Sequence, residues 1–325
     1  MDSTLPPCLT LESKVNISAI IGPVELGVAV AIFLFGCSIV QGYIYYSTFR
    51  EDPWVFKVLV ASVLALETGH IISINAYIWH ITITTYGNPM GLAVFPAAAD
   101  MAILFTGLIS LAVQSFYVLR LTKFSDTRIF PAICAAISVL ANTTCLVIAG
   151  KAFAMKNLVQ FESEISRLIT VSLVAKVLCD LAITIGMVYH LRKCRSGFPQ
   201  TVYVVDRLIR WTLETGLLTG LNSILVLVFF LAMRENFIWV GLYSFLACSH
   251  ANSLLASINS RVHISLKCLD EAYTMSSTSN VDNKSPSRPR ISPIVIGITR
   301  TVERSRSDKL DAQFIIGSEE GNIEG

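Results

Sequence analysis

Two pairs of ionisable residues interrupt otherwise apolar stretches of this sequence. Lys176 precedes Asp180 by four positions in "VSLVAKVLCDLAIT" (171–184), and Glu67 precedes His70 by three positions in "ETGH". Side chains three or four positions apart lie on the same face of an α-helix. The spacing therefore predicts two polar faces that meet in one layer between helices, where opposite charges neutralise one another.

Such a layer can serve as structural glue, as a ligand site or as an ion path. Hydrogen bonds between membrane helices contribute well under ~1 kcal/mol on average, whereas inserting a charged residue costs about 2.5–3.5 kcal/mol. This imbalance favours a functional layer. Glu25 and Asp100 join it because they fall in the outer halves of their apolar stretches. We predict a ligand-binding polar layer of Glu25, Glu67, His70, Asp100, Lys176 and Asp180.

The composition indicates a membrane protein without a recognisable catalytic motif. The 325 residues are 53% hydrophobic and only 15% charged, whereas soluble domains are nearer a quarter charged. The sequence lacks a Gly-rich phosphate loop, an H-E-x-x-H motif and a G-x-S-x-G motif. A zinc-dependent intramembrane hydrolase, the third-ranked alternative, needs at least three ligands, and only His70 and His250 lie deep in apolar stretches. We therefore predict no enzymatic activity, no catalytic residues, no cofactor and no metal.

Seven apolar stretches are long enough to cross a membrane. About 20 residues of helix span a hydrocarbon core of roughly 30 Å, and a lipid-exposed backbone must satisfy its own hydrogen bonds, which favours helices. The sequence thus predicts an all-α integral membrane protein with a seven-helix transmembrane bundle over residues 19–262. The predicted spans are 19–46, 55–80, 97–119, 129–149, 168–191, 208–232 and 237–259.

The distribution of Lys and Arg predicts the orientation of these spans. Short cytosolic connections carry more positive charge than those on the other side. One side of the bundle collects Arg50, Arg120, Lys123, Arg128, Arg192, Lys193, Arg195, Arg207, Arg210, Arg261 and Lys267. We therefore place residues 1–18 outside, as a short extracellular or lumenal N-terminus, and the C-terminus in the cytosol.

Residues 263–325 differ in character from the preceding chain. The segment "MSSTSNVDNKSPSRPR" is polar, rich in serine and interrupted by proline, a composition that cannot bury enough apolar surface to order itself. We predict a disordered cytosolic tail that, with the basic 192–210 loop, recruits a signalling partner. An inert, solubilising tail is the alternative. Its serines in Ser-Pro or basic surroundings are candidate phosphorylation sites: Ser285, Ser292, Ser305 and Ser307.

The sixth span contains a G-x-x-x-G motif formed by Gly216 and Gly220. Small residues at this spacing let helix backbones approach closely. We predict that the motif serves packing inside the bundle rather than a dimer face.

A series of short motifs along the membrane domain resembles a large family of seven-helix membrane proteins from mushroom-forming (basidiomycete) fungi, catalogued as a domain of unknown function. The motifs are Gly22-Pro23, Leu26-Gly27, "GCSIVQGYIYYSTF" (36–49), Asp52, Lys57, "ETGH" (67–70), "YGNP" (86–89), Gln114, Phe116, Arg120, "CDLAI" (179–183), "RSGF" (195–198), "DRLI" (206–209), "TGLLT" (215–219) and "NSLLASINSR" (252–261). They cover about residues 20–262. Glu67 stands where that family usually has Asp, and His250 stands where it usually has an aromatic residue. The resemblance implies a seven-helix membrane protein with a cytosolic tail and supplies no activity.

Two functions fit these observations. The leading hypothesis is a receptor-like or sensory protein that binds an unknown small ligand in the outer half of the bundle and does not bind nucleic acid. The rival is a small-solute or proton-coupled transporter, in which Glu67, His70, Lys176 and Asp180 form a relay. In either case the lipid bilayer, of the plasma membrane or an endomembrane, surrounds the protein.

Overall fold

The described part of the chain is entirely helical. A computed structural model describes residues 17–86, 96–125, 127–154, 158–193, 199–233 and 237–261, and every regular element within these ranges is a helix. The helices are α1 (Ile17–Thr48), α2 (Trp54–Trp79), α3 (Ala97–Phe124), α4 (Ile129–Ala154), α5 (Leu158–Lys193), α6 (Pro199–Ala232), α7 (Ile238–Ser244) and α8 (246–261). A π-helical turn, His80–Thr84, extends α2.

Helices α1 to α6 are each long and apolar enough to cross a membrane. Each of the first six predicted spans lies inside one of them, α2 being counted with its π-helical turn. Large apolar side chains such as Phe33 and Ile185 are 70% and 64% exposed, as expected of surfaces that face lipid. The protein is thus an all-α membrane protein. The predicted seventh span, 237–259, is divided between α7 and α8 at Phe245.

The helices form a closed ring. Successive helices pack against one another from α1 to α6, and the α7–α8 segment packs against both α6 and α1. Three contacts between α1 and this segment follow the same chain order: Gly27 with Gly241, Leu34 with Asn252, and Gln41 with Asn259. The two therefore run parallel. We call the end at which α1, α3 and α5 finish the basic end, and the other the opposite end.

A close backbone contact between α1 and α7 lies one turn before the break between α7 and α8. A Cβ added at Gly27 would lie 2.1 Å from the carbonyl oxygen of Gly241, and one added at Gly241 would lie 2.1 Å from that of Pro23. Only glycine permits such an approach. One helical turn later Phe245 leaves helical geometry, with φ −102° and ψ 1°.

Candidate functional site

Asp180 lies at the centre of a buried polar network, in which hydrogen bonds join α3, α4, α5 and α6 and a contact with His250 adds α8. Its Oδ1 accepts a hydrogen bond from Gln114 Nε2 of α3 at 3.1 Å, and its Oδ2 accepts one from Ser223 Oγ of α6 at 3.0 Å. The Nε2 atom of His250, on α8, lies 3.4 Å from the same Oδ2. All four side chains are buried. The carboxyl group thus holds α3, α6 and α8 to α5.

Backbone carbonyl groups fix the direction of these hydrogen bonds. Asn142 Nδ2 donates to the backbone oxygen of Ser138 at 2.8 Å, which identifies this atom as the amide nitrogen. The same nitrogen donates to Gln114 Oε1 at 2.8 Å, and Ser138 Oγ also donates to that oxygen, at 2.9 Å. Gln114 must therefore present its amide nitrogen to Asp180, which acts as an acceptor. The network extends in this way to α4.

Lys176 lies on the same buried face of α5 as Asp180 but does not pair with it. Its Nζ donates to Ser110 Oγ on α3. Among the described residues, the ionic partner of Asp180 is His250 rather than Lys176. The i, i+4 spacing placed both residues correctly on one face. Both side chains reach α3, Lys176 at Ser110 and Asp180 at Gln114, and Asp180 also reaches α6. Their opposite charges still attract each other.

Glu67 and His70 also share a buried face, on α2, and also have separate partners. Glu67 Oε1 accepts a hydrogen bond from Ser38 Oγ of α1 at 3.0 Å, and the thiol of Cys248 lies beside this carboxyl group. His70 Nε2 lies 2.9 Å from the backbone oxygen of Ser244. The two predicted pairs therefore form several local groups around the bundle axis rather than one continuous layer.

The contact of His70 falls at the break between α7 and α8. Ser244 is the last residue of α7, and Phe245 interrupts the helix immediately after it. A carbonyl group at a helix end has no partner within its own helix. The His70 ring supplies that partner from α2. This hydrogen bond joins α2 to the break between α7 and α8.

A cavity of about 120 Å³ lies directly next to this contact. It is enclosed by α2, α3, α4, α5 and α7 in the half of the bundle towards the opposite end. Its wall is mostly apolar, with polar groups such as His70, Ser172 and Ser244 at a few points. Its wall includes His70, Ile103, Cys145, Ile169, Trp239 and Ser244. We call it the large cavity.

A second cavity, of about 30 Å³, lies in the half of the bundle towards the basic end. Asp180 and His250 line it together with hydroxyl-bearing side chains, among them Thr184, Thr219 and Ser253. The wall of this small cavity is mostly apolar, with these polar groups at a few points. It is large enough for a water molecule, which needs about 10–15 Å³ by this measure.

Two residues of the predicted layer lie apart from these groups. Glu25 is exposed on α1. Asp100 is buried in the first turn of α3, and its Oδ1 has no hydrogen-bond partner among the described residues. Neither side chain lines the large cavity. Of the six predicted residues, only His70 lines the large cavity and only Asp180 the small one.

The basic end is held by a cluster around Arg261. Its Nη2 lies 2.5 Å from Asp52 Oδ2, and this oxygen also accepts a hydrogen bond from Tyr45 at 3.2 Å. The guanidinium group lies over the rings of Phe49 and Phe56, 4.5 and 5.3 Å from their centroids. The end of α8 is thereby attached to the α1–α2 connection.

A second arginine joins α3 to α8 near the same end. Arg120 Nη1 donates to Ser257 Oγ at 2.5 Å, and one turn away the Tyr117 hydroxyl donates to the Ser253 backbone oxygen at 3.0 Å. Helix α8 is thus attached to α1 and α3 by side-chain hydrogen bonds, and it meets α5 at the contact of His250 with Asp180.

The two glycines of the G-x-x-x-G motif differ in their surroundings. A Cβ at Gly216 would lie 2.3 Å from Thr184 Oγ1 of α5, whereas one at Gly220 would lie 3.7 Å from Leu181. Close packing of α5 against α6 therefore depends on Gly216. Gly220 has ordinary van der Waals room.

Sequence reasoning missed the residues that pair with Asp180. Gln114 was noted only as part of a family motif, and His250 was left out of the predicted layer. A usable signal was present, because amides and hydroxyls recur at helical spacing in apolar stretches, as at Ser138 and Asn142. The tail serines Ser285, Ser292, Ser305 and Ser307 lie outside the described residues, as do residues 194–198 of the predicted 192–210 loop. The rest of that segment is helical, with 192–193 ending α5 and 199–210 beginning α6.

The apolar helices and the buried polar centre define a multi-pass, all-α membrane protein. Residues 176–263 match the model of a family of unknown function (DUF6534). This region contains Lys176, Asp180, both α6 glycines and the whole of α7 and α8, so the match fits the uncharacterised family suggested by the sequence motifs. No curated protein and no solved structure matches the chain.

Proposed function

We propose that the chain is a receptor-like, seven-helix membrane protein that binds a small, mostly apolar ligand in the large cavity. The observation that carries this proposal is the cavity itself, an apolar space beside the interruption of the seventh apolar stretch. Apolar cavities of comparable size, about 150 Å³, hold molecules such as benzene. The proposal assigns the chain a binding role rather than an enzymatic one.

The parallel contact between α1 and the α7–α8 segment supports the seventh span. The segment follows α1 from Gly27 to Gln41, about 21 Å at 1.5 Å per residue. The positive charge at the basic end supports a cytosolic position for that end. On this orientation the N-terminus and the large cavity lie on the outer side. The motifs before residue 176 support extending the fungal family resemblance to the first half.

The wall of the large cavity suggests the ligand's chemistry. Its aromatic and aliphatic side chains favour a compact hydrocarbon body, and the Ser244 hydroxyl can still accept one hydrogen bond because its proton goes to the Val240 carbonyl. A ligand with one hydroxyl group satisfies both conditions. Such a ligand would also contact His70.

The seventh stretch offers a route from the cavity to the basic end. A ligand beside Ser244 displaces or strengthens the His70 contact at the helix break. Helix α8 then carries the change to Ser257 and Arg261, which bond to Arg120 and Asp52. The 192–210 loop and the tail, with its candidate phosphorylation sites, would recruit the cytosolic partner.

Benzyl alcohol is a suitable probe because it combines an aromatic ring with one hydroxyl group. We expect it to raise the melting temperature of the detergent-purified protein and to change the fluorescence of Trp239, which lines the cavity. Ligand binding to the folded state alone stabilises by about 1.4 kcal/mol at ten times the Kd.

A matched pair of substitutions on α5 separates cavity binding from partition into detergent. Ile169→Phe fills part of the cavity and should abolish both responses, whereas Ile185→Phe changes the same residue type on the exposed face and should leave both intact. Equal responses in the two variants would refute binding in the cavity.

The two cavities in opposite halves of the bundle favour a transporter as the second candidate. Ser110 on α3 and Lys176 on α5 lie, along their helices, between the residues that line the two cavities. A carrier would open the space around these two residues to each side of the membrane in turn. Proton-coupled flux of a solute into proteoliposomes that disappears in Asp180→Asn would support the transporter over the receptor.

A further inference from the structure

The small cavity contains an arrangement that the proposed ligand function does not use. Asp180 and His250 both line it and are buried, and His250 Nε2 lies 3.4 Å from Asp180 Oδ2. We propose that this pair is a proton-binding site, in which His250 carries protons on both ring nitrogens and exchanges one of them with water in the small cavity. The proposal does not depend on the large cavity.

The first ring proton is fixed by the backbone. His250 Nδ1 lies 2.9 Å from the Leu246 carbonyl oxygen. A carbonyl oxygen can only accept a hydrogen bond, so Nδ1 must carry a proton. A neutral ring would then have an unshared electron pair at Nε2.

The second ring proton follows from what Nε2 faces. This atom lies 3.4 Å from Asp180 Oδ2 and has no hydrogen-bond partner among the described residues. Two electron pairs facing each other at this separation would repel. Asp180 accepts hydrogen bonds at both oxygens. Oδ1 accepts from the Gln114 amide, whose orientation is fixed through Asn142, and Oδ2 accepts from Ser223. The proton between the pair therefore belongs to Nε2.

The wall of the small cavity is suited to receive that proton. Thr184 and Thr219 each donate their hydroxyl proton to a backbone carbonyl of their own helix, Asp180 and Thr215 respectively. The two threonine oxygens therefore present only electron pairs to the cavity. A water molecule there donates its hydrogens to these oxygens and directs an electron pair towards Nε2. When the proton leaves, the N–H bond breaks, its electrons stay on Nε2, and the water oxygen forms the new O–H bond.

Other titratable groups face this pair from the surrounding helices. They are Lys176 and Cys179 on α5, Tyr117 on α3 and Cys134 on α4. On the α2 side Glu67 lies beyond Cys248. On the described part of α6, Glu214 is exposed and points away from the pair. Lys176, the one cation in this set, is bonded to Ser110. Loss of the proton leaves Asp180 and Nε2 repelling each other, which weakens the contact between α5 and α8.

Nitrogen-15 NMR of the full chain labelled at histidine tests the site. At pH 7 we expect His250 to carry protons on both ring nitrogens, its signals being assigned by their loss in His250→Gln. In Asp180→Asn the same ring should lose the Nε2 proton and keep Nδ1–H. Ser223→Ala removes a neutral donor from the same oxygen and should keep both protons.

The result that overturns the proposal is a singly protonated His250 in the unmodified chain, or a protonation pattern that is the same in the unmodified chain and in Asp180→Asn. If His250→Gln does not fold, the comparison with Asp180→Asn decides by itself, because the ring that changes is the one whose Nε2 lies beside that carboxyl group. The large cavity and its benzyl alcohol response are unaffected by either result.

Discussion

Substituting alanine at Gly27 tests the backbone contact that joins α1 to the seventh stretch. The new Cβ would lie 2.1 Å from the Gly241 carbonyl oxygen and 2.7 Å from the Gly241 Cα. These neighbours are backbone atoms, so no side-chain rotation relieves the clash. Reaching an ordinary separation of at least about 3.4 Å requires the helices to move apart by about 1.3 Å.

The expected loss is about 3 kcal/mol, at the upper end of the range for overpacked interiors. At about 2–4 °C per kcal/mol for a domain of this size, the melting temperature should fall by about 6–12 °C. Gly22, on the same helix, is the control. A Cβ at Gly22 meets no atom within 4 Å, and alanine favours the helix by up to ~1 kcal/mol.

The buried cysteines supply the assay. Cys134, Cys145, Cys179 and Cys248 are free and buried, so a fluorogenic thiol reagent reports their exposure as the detergent-purified protein unfolds. Gly22→Ala should melt at or slightly above the temperature of the unmodified protein. If Gly27→Ala also melts within about 2 °C of it, the glycine contact does not hold the two helices together.

Two further predictions concern packing and the basic end. Gly216→Ala should lower the melting temperature, because its Cβ would lie 2.3 Å from Thr184 Oγ1. Gly220→Ala should not, because its Cβ would lie 3.7 Å from its nearest neighbour. Equal effects of the two substitutions would contradict this packing. A double-mutant cycle of Asp52→Asn and Arg261→Met should give a coupling free energy of about 1 kcal/mol, measured in denaturant at low salt, because the two groups are 2.5 Å apart. Additive losses would show that the pair contributes nothing beyond its separate contacts.

The positions of the helices were predictable from the apolar stretches, and the partners of the buried charges were not. Helical periodicity states which residues share a face, and it placed Lys176 and Asp180 on the buried side of α5. It does not state which neighbouring helix each side chain reaches. His250 is far from Asp180 in the chain, and their contact arises only when α8 closes the ring.

The interruption at Phe245 was also beyond the sequence pattern. The stretch 237–259 contains no Asp, Glu, Lys, Arg or Pro, so the sequence pattern predicts an unbroken helix. The break lies one turn after Gly241, where α7 contacts a distant part of the chain. The large cavity is lined by residues from five helices, and these residues share no motif in the sequence.

The crossing of Gly27 and Gly241 also has an evolutionary consequence. A side chain at either position separates the helices, so glycine at one gives no advantage without glycine at the other. The matched region, 176–263, contains Gly241 but not Gly27. Relatives that keep this crossing should carry both glycines, and relatives that lack one should lack the other as well. This covariation would extend recognition of the family into the first half of the chain.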